Sequence, residues 1–459
     1  MLKDIQDKNI ILFGVGAVQK CVLHYLEKYL IITPSNLLMI DLIDYRNDFD
    51  IKKWIDKGAK YIICDINKEY KTIISKMNEY DIIIDLTNRT ESNLICEECL
   101  KNNIHYINTS LEDKESPNEI KKKFSKFEQS YQQSHNEILT LKNRYKDKAT
   151  NMLNCGMNPG CITLLTKLAI LEMAKKQPKN TELQLYINER DYARLCEYLE
   201  IEIIHCSEVD TITFDKPNFN DTYYNTWCCQ AFLDEYADNL QMTYGTEQKT
   251  LPPKAEMIND YVVNMNKPSY ELYSESYCPK FGKFVGCCIS HSEQISGADY
   301  FSTAEHSPSI YYVYRFSPLC WNSIKHLTKD ELGGTLKKKS KVVSKLDKIS
   351  GVDFVGSLII SKKHKSIWCG SLLTTEDKHI GNHSPTTAQV AISILSFIHW
   401  MLDNKNKGAN FAENVDEQYF LQRIKPYFKF YIEESDYNPK SIQFKDLQKD
   451  KKQFDNQYK

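Results

Sequence analysis

The stretch from residue 8 to residue 41 most constrains what this chain can fold into. An apolar run at residues 10–13 has the length of a buried parallel strand, and it leads directly into Gly14-Val-Gly16. A helical pattern follows over residues 18–30, and a second apolar run ends at Asp41. This order of strand, glycine turn, helix, strand and terminal acid is typical of a βαβ unit that binds a dinucleotide. A plain strand-to-helix turn is the alternative, and the full pattern favours the dinucleotide site.

The residue types in this unit suit a pyrophosphate and a ribose. Glycines allow a sharp turn and close approach of a phosphate, and the helix start offers free N–H groups and a positive dipole end. Asp41 is placed to accept hydrogen bonds from ribose hydroxyls, and its charge disfavours a 2′-phosphate, so NAD is favoured over NADP. Gln19 replaces the usual third glycine, which we expect to loosen helix–strand packing more than phosphate binding. The expected cofactor contacts here are Gly14, Val15, Gly16, Ala17, Val18 and Asp41.

Strand and helix patterns continue to alternate after this unit. Strand-like runs at residues 61–65, 80–86 and 105–109 are separated by helical patterns at 69–77 and 92–102. Such alternation predicts an α/β domain with a doubly wound parallel sheet, a Rossmann domain. Ligands of these sheets bind beyond the carboxyl ends of the strands. This rule adds four candidate site residues: Thr87, Asn88, Thr109 and Glu112.

The pattern changes beyond the first sheet. A polar amphipathic stretch predicts a long helix over about residues 117–147, and a glycine-containing turn then marks a domain boundary near residue 155. Residues 181–375 contain short apolar runs, among them 183–187, which favour a mainly antiparallel sheet in an α+β domain. The run at 388–402 is apolar on all sides and predicts a buried helix.

Composition excludes several classes of function. Lys plus Arg number 59 and Asp plus Glu number 61, so no overall charge attracts the chain to nucleic acid or to a membrane surface. Fifteen cysteines without a secretory signal indicate a reducing, cytoplasmic setting. The one Cys-x-x-Cys, at residues 96–99, lies on a predicted helix without a second pair at zinc-finger spacing, so no metal site is expected. The longest apolar run is too short to cross a bilayer.

Several segments of the second domain combine carboxylates with aromatic or imidazole groups. Glu208 follows a strand, and Trp227 precedes Glu235 by eight residues. His291 and Glu293 are spaced as alternate residues of a strand, so both can face one cavity. Acids beside an indole face suit a cationic amine or iminium, and an imidazole near neutral pKa suits proton transfer. For each segment taken singly, solvent-facing acids and a core tryptophan remain the alternative interpretation.

These segments also match a known family. The most specific pieces are Cys-Gly-Met-Asn-Pro-Gly at residues 155–160, Asn-Thr-Trp at 225–227, Tyr-Gly-Thr at 244–246 and the His-Ser-Glu segment at 291–301. With them, the chain resembles bacterial-type homospermidine synthase, in the saccharopine dehydrogenase-like group. The resemblance runs with gaps from the glycine loop to about residue 400.

The resemblance implies an architecture and an activity. It implies an NAD-dependent enzyme that joins two putrescine-type amines with loss of ammonia, through an imine and an internal return of the hydride. It also implies a homodimer. Together with the residue patterns, it divides the chain as follows: a Rossmann domain at 1–155, a substrate and dimerisation domain at 156–383, C-terminal helices at 384–445 that return to the Rossmann domain, and a frayed charged tail at 446–459.

The resemblance also implies roles for individual residues. Trp227 steadies the iminium, and Glu208 and Glu235 hold ammonium groups. His291 and Glu293 complete the pocket, and Asn158, also a cofactor contact, lies with Glu112 where nicotinamide meets substrate. The implied catalytic set is Trp227, His291, Glu208, Glu235, Glu293, Asn158 and Glu112.

One departure leaves alternatives open. Arg89 stands where the family pattern has an acid near the pocket entrance. Such an arginine repels a dication but clamps a carboxylate. A reductive condensation of the saccharopine dehydrogenase or carboxynorspermidine synthase kind is therefore one alternative. The other is an NAD-binding protein that has lost catalysis and has an interaction role.

Overall fold

The computed structural model describes residues 2–111, 131–328, 330–332, 336–439 and 441–458. The chain forms a seven-stranded parallel sheet and a separate eleven-stranded, mainly antiparallel sheet, both flanked by helices. The predicted α/β class, with an N-terminal Rossmann sheet and a second α+β region, is confirmed.

The first domain follows the βαβ order expected from its sequence. Its helices are α1 Ala17–Tyr29, α2 Phe49–Asp56, α3 Ile66–Ile74, α4 Ser92–Lys101 and α5 Tyr131–Arg144. Its strands are β1 Lys3–Asp4, β2 Ile10–Phe13, β3 Leu30–Ile31, β4 Leu37–Asp41, β5 Lys60–Ile63, β6 Ile82–Asp85, β7 His105–Asn108 and β8 Asn151–Met152. The predicted long helix is described only from residue 131 onward, since residues 112–130 lie outside the described part of the chain.

The rest of the chain builds the second sheet and the helices against it. The helices are α6 Cys161–Lys175, α7 Thr181–Glu189, α8 Tyr192–Tyr198, α9 Cys229–Ala237, α10 Glu293–Tyr300, α11 Pro318–Ile324, α12 Pro385–Asp403, α13 Glu417–Ile424, α14 Phe444–Leu447 and α15 Lys451–Asn456. The strands are β9 Ile201–Asp210, β10 Thr222–Asn225, β11 Asn239–Thr243, β12 Glu256–Met257, β13 Val262–Pro268, β14 Tyr273–Cys278, β15 Gly282–Ile289, β16 Ser309–Arg315, β17 Lys339–Val342, β18 Val352–Ser361, β19 Ser366–Thr374, β20 Ala409–Asn410, β21 Lys429–Ser435 and β22 Gln448–Lys449.

The order of the strands in the two sheets determines which strands lie in the interior, next to the site. The parallel sheet runs β20-β8-β7-β6-β2-β4-β5, and its interior strands β6 and β2 are buried along their whole length. The main path of the second sheet runs β12-β13-β11-β16-β9-β18-β19-β21. In its centre β9 pairs with β16 in parallel and with β18 antiparallel. All ten residues of β9 are buried, so any charged side chain on it lies inside the protein.

The C-terminal region interleaves with both sheets. As expected, the buried helix α12 packs against α1, where His399 Nε2 lies 2.9 Å from the Tyr29 carbonyl oxygen. The strand β20 then joins the edge of the parallel sheet. However, β21 pairs with β19 in the second sheet. The segment 384–445 is therefore not a set of helices on the Rossmann domain alone.

Two further expectations differ from the structure. Residues 183–187 are helical, within α7, because Asn180 caps the helix by accepting a hydrogen bond from the Leu183 N–H at 2.8 Å. The tail after residue 446 is ordered: β22 pairs with β14, and Phe454 is buried against Trp321. The aromatic contacts of Phe454 and Tyr458 were missed because the segment is otherwise charged. Among the described residues, no helix has the length and hydropathy needed to cross a bilayer.

Candidate active site

A cavity that opens to solvent, and measures about 930 Å³ with the solvent space at its mouth included, lies between the two sheets at the carboxyl ends of the parallel strands. The Rossmann domain lines it with Gly16, Ala17, Val18, Gln19, Thr87, Asn88 and Thr109. The second region faces them with Asn158, Glu208, Trp227, Glu235, His291 and Tyr312. Thr386 and Val390 of α12 also line the cavity. The structure therefore brings most of the residues predicted from the sequence to one place.

The glycine loop is shaped for close approach of a ligand. Gly14 has φ +71°, and a Cβ there would lie 2.9 Å from the Leu86 carbonyl oxygen, so only glycine fits. Gly16 immediately precedes α1, and a Cβ added to it would have no neighbouring atom within 4 Å. The loop therefore leaves open space in front of the free N–H groups of the helix start, which fits the pyrophosphate of a dinucleotide.

Asp41 holds the loop from the end of β4. Its Oδ2 accepts a hydrogen bond from the Val15 N–H at 2.6 Å, and its Oδ1 accepts one from the Ile43 N–H at 2.9 Å. Each carboxylate oxygen keeps a further lone pair for a ribose hydroxyl. The position of Asp41 therefore fits the predicted ribose contact.

Gln19 faces the cavity rather than only the helix–strand contact. Its side chain is completely buried, and within the described chain neither polar atom of its carboxamide has a hydrogen-bond partner. A buried amide without partners costs about 1–3 kcal/mol per group. A bound dinucleotide in this cavity would offer such partners.

The segment 155–160 connects the two walls. Gly160 has φ +124°, and a Cβ there would lie 2.5 Å from the Gly156 carbonyl oxygen. Gly156 in turn packs so closely against Thr109 that a Cβ on this glycine would lie 3.2 Å from the threonine methyl group. This compact turn carries Asn158 into the cavity, where its Nδ2 donates to Glu208 Oε2 at 2.8 Å.

Glu208 is the central acid of the cavity. Its Oε2 accepts hydrogen bonds from both Asn158 and the Tyr312 hydroxyl, the latter at 2.7 Å, and no described residue donates to Oε1. Burial raises the pKa of Glu208 to about 7, although both hydrogen bonds act to lower it. The carboxyl group therefore exchanges its proton near neutral pH, as a general base requires. Tyr312 was not predicted, because every residue of its tyrosine-rich strand β16 is buried and no alternation marks the face toward the cavity.

Two more buried acids extend from Glu208 and were not predicted. Asp210 Oδ2 accepts from the Thr226 hydroxyl at 2.7 Å, and Asp353 Oδ2 accepts from Gln389 Nε2 at 3.0 Å. The two residues are paired across β9 and β18. Burial raises the pKa of each, and repulsion from Glu208 and Asp210 adds to the rise at Asp353. The spacing of 208 and 210 on one strand was the available signal.

His291 lies between two carboxylates. Its Nε2 is 3.4 Å from Glu235 Oε2 and its Nδ1 is 3.3 Å from Glu293 Oε1. Burial acts to lower the pKa of His291, but the charges of Glu293 and Glu235 raise it to about 10. The expected imidazole pKa near neutral is therefore wrong, because the two acids raise it and keep the ring protonated. The expected strand spacing is also wrong: β15 ends at Ile289, and Glu293 begins α10.

Trp227 lines the cavity at the start of the segment that leads into α9. The Asn225 Nδ2 group donates to the Cys228 carbonyl oxygen at 2.7 Å and fixes the turn around it. Asn88 Nδ2, from the Rossmann domain, contacts Cys228 Sγ at 3.2 Å. The indole is thus held at the junction of the two walls.

Arg89 turns away from the cavity. Its NH2 group lies 3.0 Å and 3.1 Å from the two carboxylate oxygens of Asp234, and Arg89 is not among the residues that line the cavity. Asp234 also accepts a hydrogen bond from Gln230 at 2.9 Å. The predicted site residue Glu112 lies outside the described residues.

Fold and cavity together define a protein with a Rossmann-type dinucleotide-binding sheet and a second, mainly antiparallel sheet. The sequence family described as the saccharopine dehydrogenase NADP-binding domain matches residues 10–151. The solved structure of the homospermidine synthase from Legionella pneumophila in complex with NAD aligns with a TM-score of 0.84 at 22% identity, over 98% of this chain and 99% of that one. Saccharopine dehydrogenase from Saccharomyces cerevisiae aligns with a TM-score of 0.51 at 13% identity, over 93% of this chain and 99% of that one.

Curated sequences give the more specific relationship. The homospermidine synthase of Mesorhizobium japonicum is 24% identical over 450 residues, covering 91% of this chain and 88% of that protein. The homospermidine synthase of Blastochloris viridis is 23% identical over 447 residues, covering 92% of this chain and 90% of that protein. The predicted resemblance to homospermidine synthase is confirmed.

Proposed function

We propose that this protein is an NAD-dependent homospermidine synthase that joins two putrescine-type amines with release of ammonia. The observation that carries this proposal is the composition of the cavity wall opposite the glycine loop. Glu208, Glu235 and His291 line that wall together with Trp227. A wall with several acids and an indole face favours a cationic amine over a carboxylate substrate.

The chain offers suitable contacts for the cofactor. NAD, when bound, supplies a hydride acceptor that can later return the hydride to the same active site. The glycine loop and α1 hold its pyrophosphate, Asp41 holds the ribose, and the strand-end residues Thr87, Asn88 and Thr109 line the path to Asn158. Negative charge at Asp41 favours NAD over a cofactor with a 2′-phosphate.

Glu208 acts as the proton acceptor for the first amine. Hydride loss from a carbon bearing nitrogen requires a free amine, and a carboxylate with a pKa near 7 accepts the ammonium proton at neutral pH. Asn158 and Tyr312 hold its Oε2, so Oε1 is oriented toward the substrate. These two contacts therefore position the base.

Trp227 and the histidine cluster serve the later steps. The indole face stabilises the cationic carbon–nitrogen double bond formed from the substrate. Protonated His291, held by Glu235 and Glu293, is an acid that can return a proton when ammonia leaves. Glu235 also lines the cavity and binds the distal ammonium of a diamine.

The arrangement of Arg89 argues against a carboxylate-bearing substrate. A substrate clamp needs a free guanidinium facing the cavity, whereas Arg89 is engaged with both oxygens of Asp234. We therefore favour the diamine reaction over a condensation of the saccharopine dehydrogenase kind. The intact cluster around His291 also argues against a purely NAD-binding role.

The decisive experiment incubates purified protein with NAD and putrescine. We expect mass spectrometry to detect homospermidine, an ammonia assay to detect one equivalent per product, and absorbance to show no net accumulation of NADH. A Glu208→Gln variant that still binds NAD serves as the inactive control. Unreacted putrescine at every pH from about 6 to about 10 would exclude this substrate, and activity only with an added amino acid would favour the condensation.

We also propose that the enzyme works as a homodimer in a reducing compartment. The fifteen cysteines all lie in the described part of the chain and form no disulfide with one another, and thirteen of them are buried, which suits a reduced setting. Light scattering during size-exclusion chromatography tests the dimer, and a mass near that of one 53.6 kDa chain would contradict it.

A further inference from the structure

A second cluster of ligating side chains lies outside the cavity, where α1, α2 and the segment before α12 meet. It consists of His24 on α1, Asp50 on α2 and His383. One nitrogen or oxygen atom from each residue lies within 4.8 Å of the others. None of the three lines the cavity, so the proposed reaction does not use them.

His383 provides the first sign of a missing ligand. Its ring is buried, and in the described part of the chain its Nε2 has no hydrogen-bond partner. That nitrogen lies 3.5 Å from Asp50 Oδ2, too far for a good hydrogen bond.

His24 shows the orientation of a metal-binding histidine. Its Nε2 lies 2.9 Å from the His379 carbonyl oxygen. Because a carbonyl only accepts, the tautomer with its proton on Nε2 satisfies this contact and leaves the lone pair on Nδ1, although the donor-only Lys28 ammonium also lies 3.2 Å from Nε2. Metal-ligating histidines usually donate their second ring N–H to a carbonyl or carboxylate in this way. Gly381, where a Cβ would lie 2.6 Å from the His24 ring, lets the segment pack this closely.

The surrounding charges permit a cation. Lys20 is paired with Asp48 at 2.7 Å. Lys28 lies on the Nε2 side of His24, at 3.2 Å from both that nitrogen and the His379 carbonyl oxygen. Asp48 caps α2 by accepting from the Asp50 N–H at 3.1 Å, which fixes the backbone that carries the acid. The negative charge that faces the two imidazoles is thus the carboxylate of Asp50.

We propose that His24, Asp50 and His383 bind a Zn²⁺ ion. Two imidazoles and one carboxylate, with a water as fourth ligand, form a ligand set that Zn²⁺ prefers at about 2.0–2.2 Å. Tetrahedral coordination at that distance separates ligand atoms by about 3.4 Å. His383 Nε2 and Asp50 Oδ2, which are 3.5 Å apart, already have this spacing, and the His24 ligand atom, within 4.8 Å of the others, has to move closer when the ion binds. The ion would tie two helices of the Rossmann domain to the start of α12.

The test uses the full-length protein, stripped with a chelator and titrated with Zn²⁺ alone. We expect one tightly bound Zn²⁺ per chain, measured by metal analysis after gel filtration, and a higher melting temperature in its presence. Asp50→Asn, which preserves shape, and His383→Gln should each weaken Zn²⁺ binding more than about tenfold. His326→Gln, at an exposed histidine on the second region, should bind Zn²⁺ as the parent does. Co²⁺ in place of Zn²⁺ should give the visible absorption of tetrahedral coordination.

Several outcomes would overturn the site. One is a stripped parent that takes up no Zn²⁺ at micromolar concentration. Another is unchanged stoichiometry and affinity in both Asp50→Asn and His383→Gln, which would assign the ion to thiols or to the His291 cluster. Circular dichroism and calorimetry with NAD establish that each variant is folded. If His383→Gln does not fold, Asp50→Asn together with His24→Gln decides the question. The result is independent of homospermidine synthesis, since no step of the test measures turnover.

Discussion

The two walls of the cavity differ in how they make a binding surface. The Rossmann wall relies on backbone: a glycine turn, the N–H groups of a helix start and one carboxylate, Asp41, at a strand end. The opposite wall relies on side chains that carry charge in buried positions, with Glu208 and His291 at its centre. The comparison shows that backbone sites tolerate variation in side chains, whereas a wall of buried charges depends on every partner.

Glu208→Gln should have the largest effect, because it removes the proton acceptor while preserving the contacts with Asn158 and Tyr312. We expect kcat/KM for the diamine to fall about 10²–10⁴-fold, the range for loss of a general base. The dissociation constant for NAD, measured by calorimetry, should change less than about twofold. Glu202→Gln, on the same strand, is the matched control. If NAD affinity falls as much as kcat/KM in Glu208→Gln, the two walls of the cavity do not act independently.

The pH dependence of kcat/KM should be the second largest effect. Ionised Glu208 is the active form, so kcat/KM should fall about tenfold per pH unit below its pKa of about 7. Activity should fall again near pH 10, where His291 loses its proton. Glu208→Gln should lack the acid limb, and His291→Gln should lack the alkaline limb. A profile that is flat from about pH 5 to about pH 8 would contradict the role of Glu208.

The same titration predicts a change in stability. His291 has a folded-state pKa raised from 6.5 to about 10, so the folded state holds its proton more tightly than the unfolded state. The resulting stabilisation is complete below pH 6.5 and is lost as the pH rises toward 10. The difference in unfolding free energy between the parent and His291→Gln should therefore shrink over that range in urea titrations.

Asp41→Asn tests the Rossmann wall. Hydrogen bonds to a charged group contribute about 1.5–3 kcal/mol, so NAD should bind about 10–100-fold more weakly. The affinity for NADP should fall less than that for NAD, because the variant lacks the negative charge of Asp41 that repels the 2′-phosphate. Asp44→Asn, at an exposed neighbour, is the control. Calorimetry with both cofactors gives the ratio of the NAD and NADP affinities. If Asp41→Asn leaves this ratio unchanged, Asp41 does not contact the ribose.

Trp227→Ala should reduce kcat about tenfold, which corresponds to loss of a cation–π contact of about 0.5–2 kcal/mol. NAD affinity should stay within about twofold. Trp227→Phe keeps a smaller aromatic face and should recover part of the loss. If both variants lose turnover equally, the indole acts by filling space rather than by stabilising charge.

Gln19→Met should have the smallest effect. It keeps the length of the side chain but removes the amide, so NAD binding should weaken by the value of one neutral hydrogen bond, about two- to tenfold. Gln19→Gly, which restores the usual glycine, shows whether the side chain contributes a hydrogen bond to the cofactor or only fills volume beside it. Equal NAD affinity in the Met variant and the parent would show that the carboxamide has no role in cofactor binding.

The Rossmann wall was predictable because its determinants are local. Gly14, Gly16 and Asp41 all belong to one strand–turn–helix–strand unit, and the geometry of that unit fixes their relative positions. The charge state of the opposite wall was not predictable in the same way. His291 is protonated because Glu235 and Glu293 approach it from different helices, and neither helix position follows from the spacing in the sequence. Asp353 was missed because its partner Asp210 lies on a strand 143 residues earlier.

The path of the chain after residue 384 has a mechanical consequence. The backbone passes from the second region into α12 and β20, and then returns to the second sheet through β21. With the link near residue 155, three crossings join the two halves, so they cannot swing apart about one flexible linker. A fragment cut at residue 155 would also leave the outer edge of β8 without the neighbour that β20 provides. The dinucleotide half is therefore expected to aggregate when produced alone, even though its sequence resembles a self-contained module.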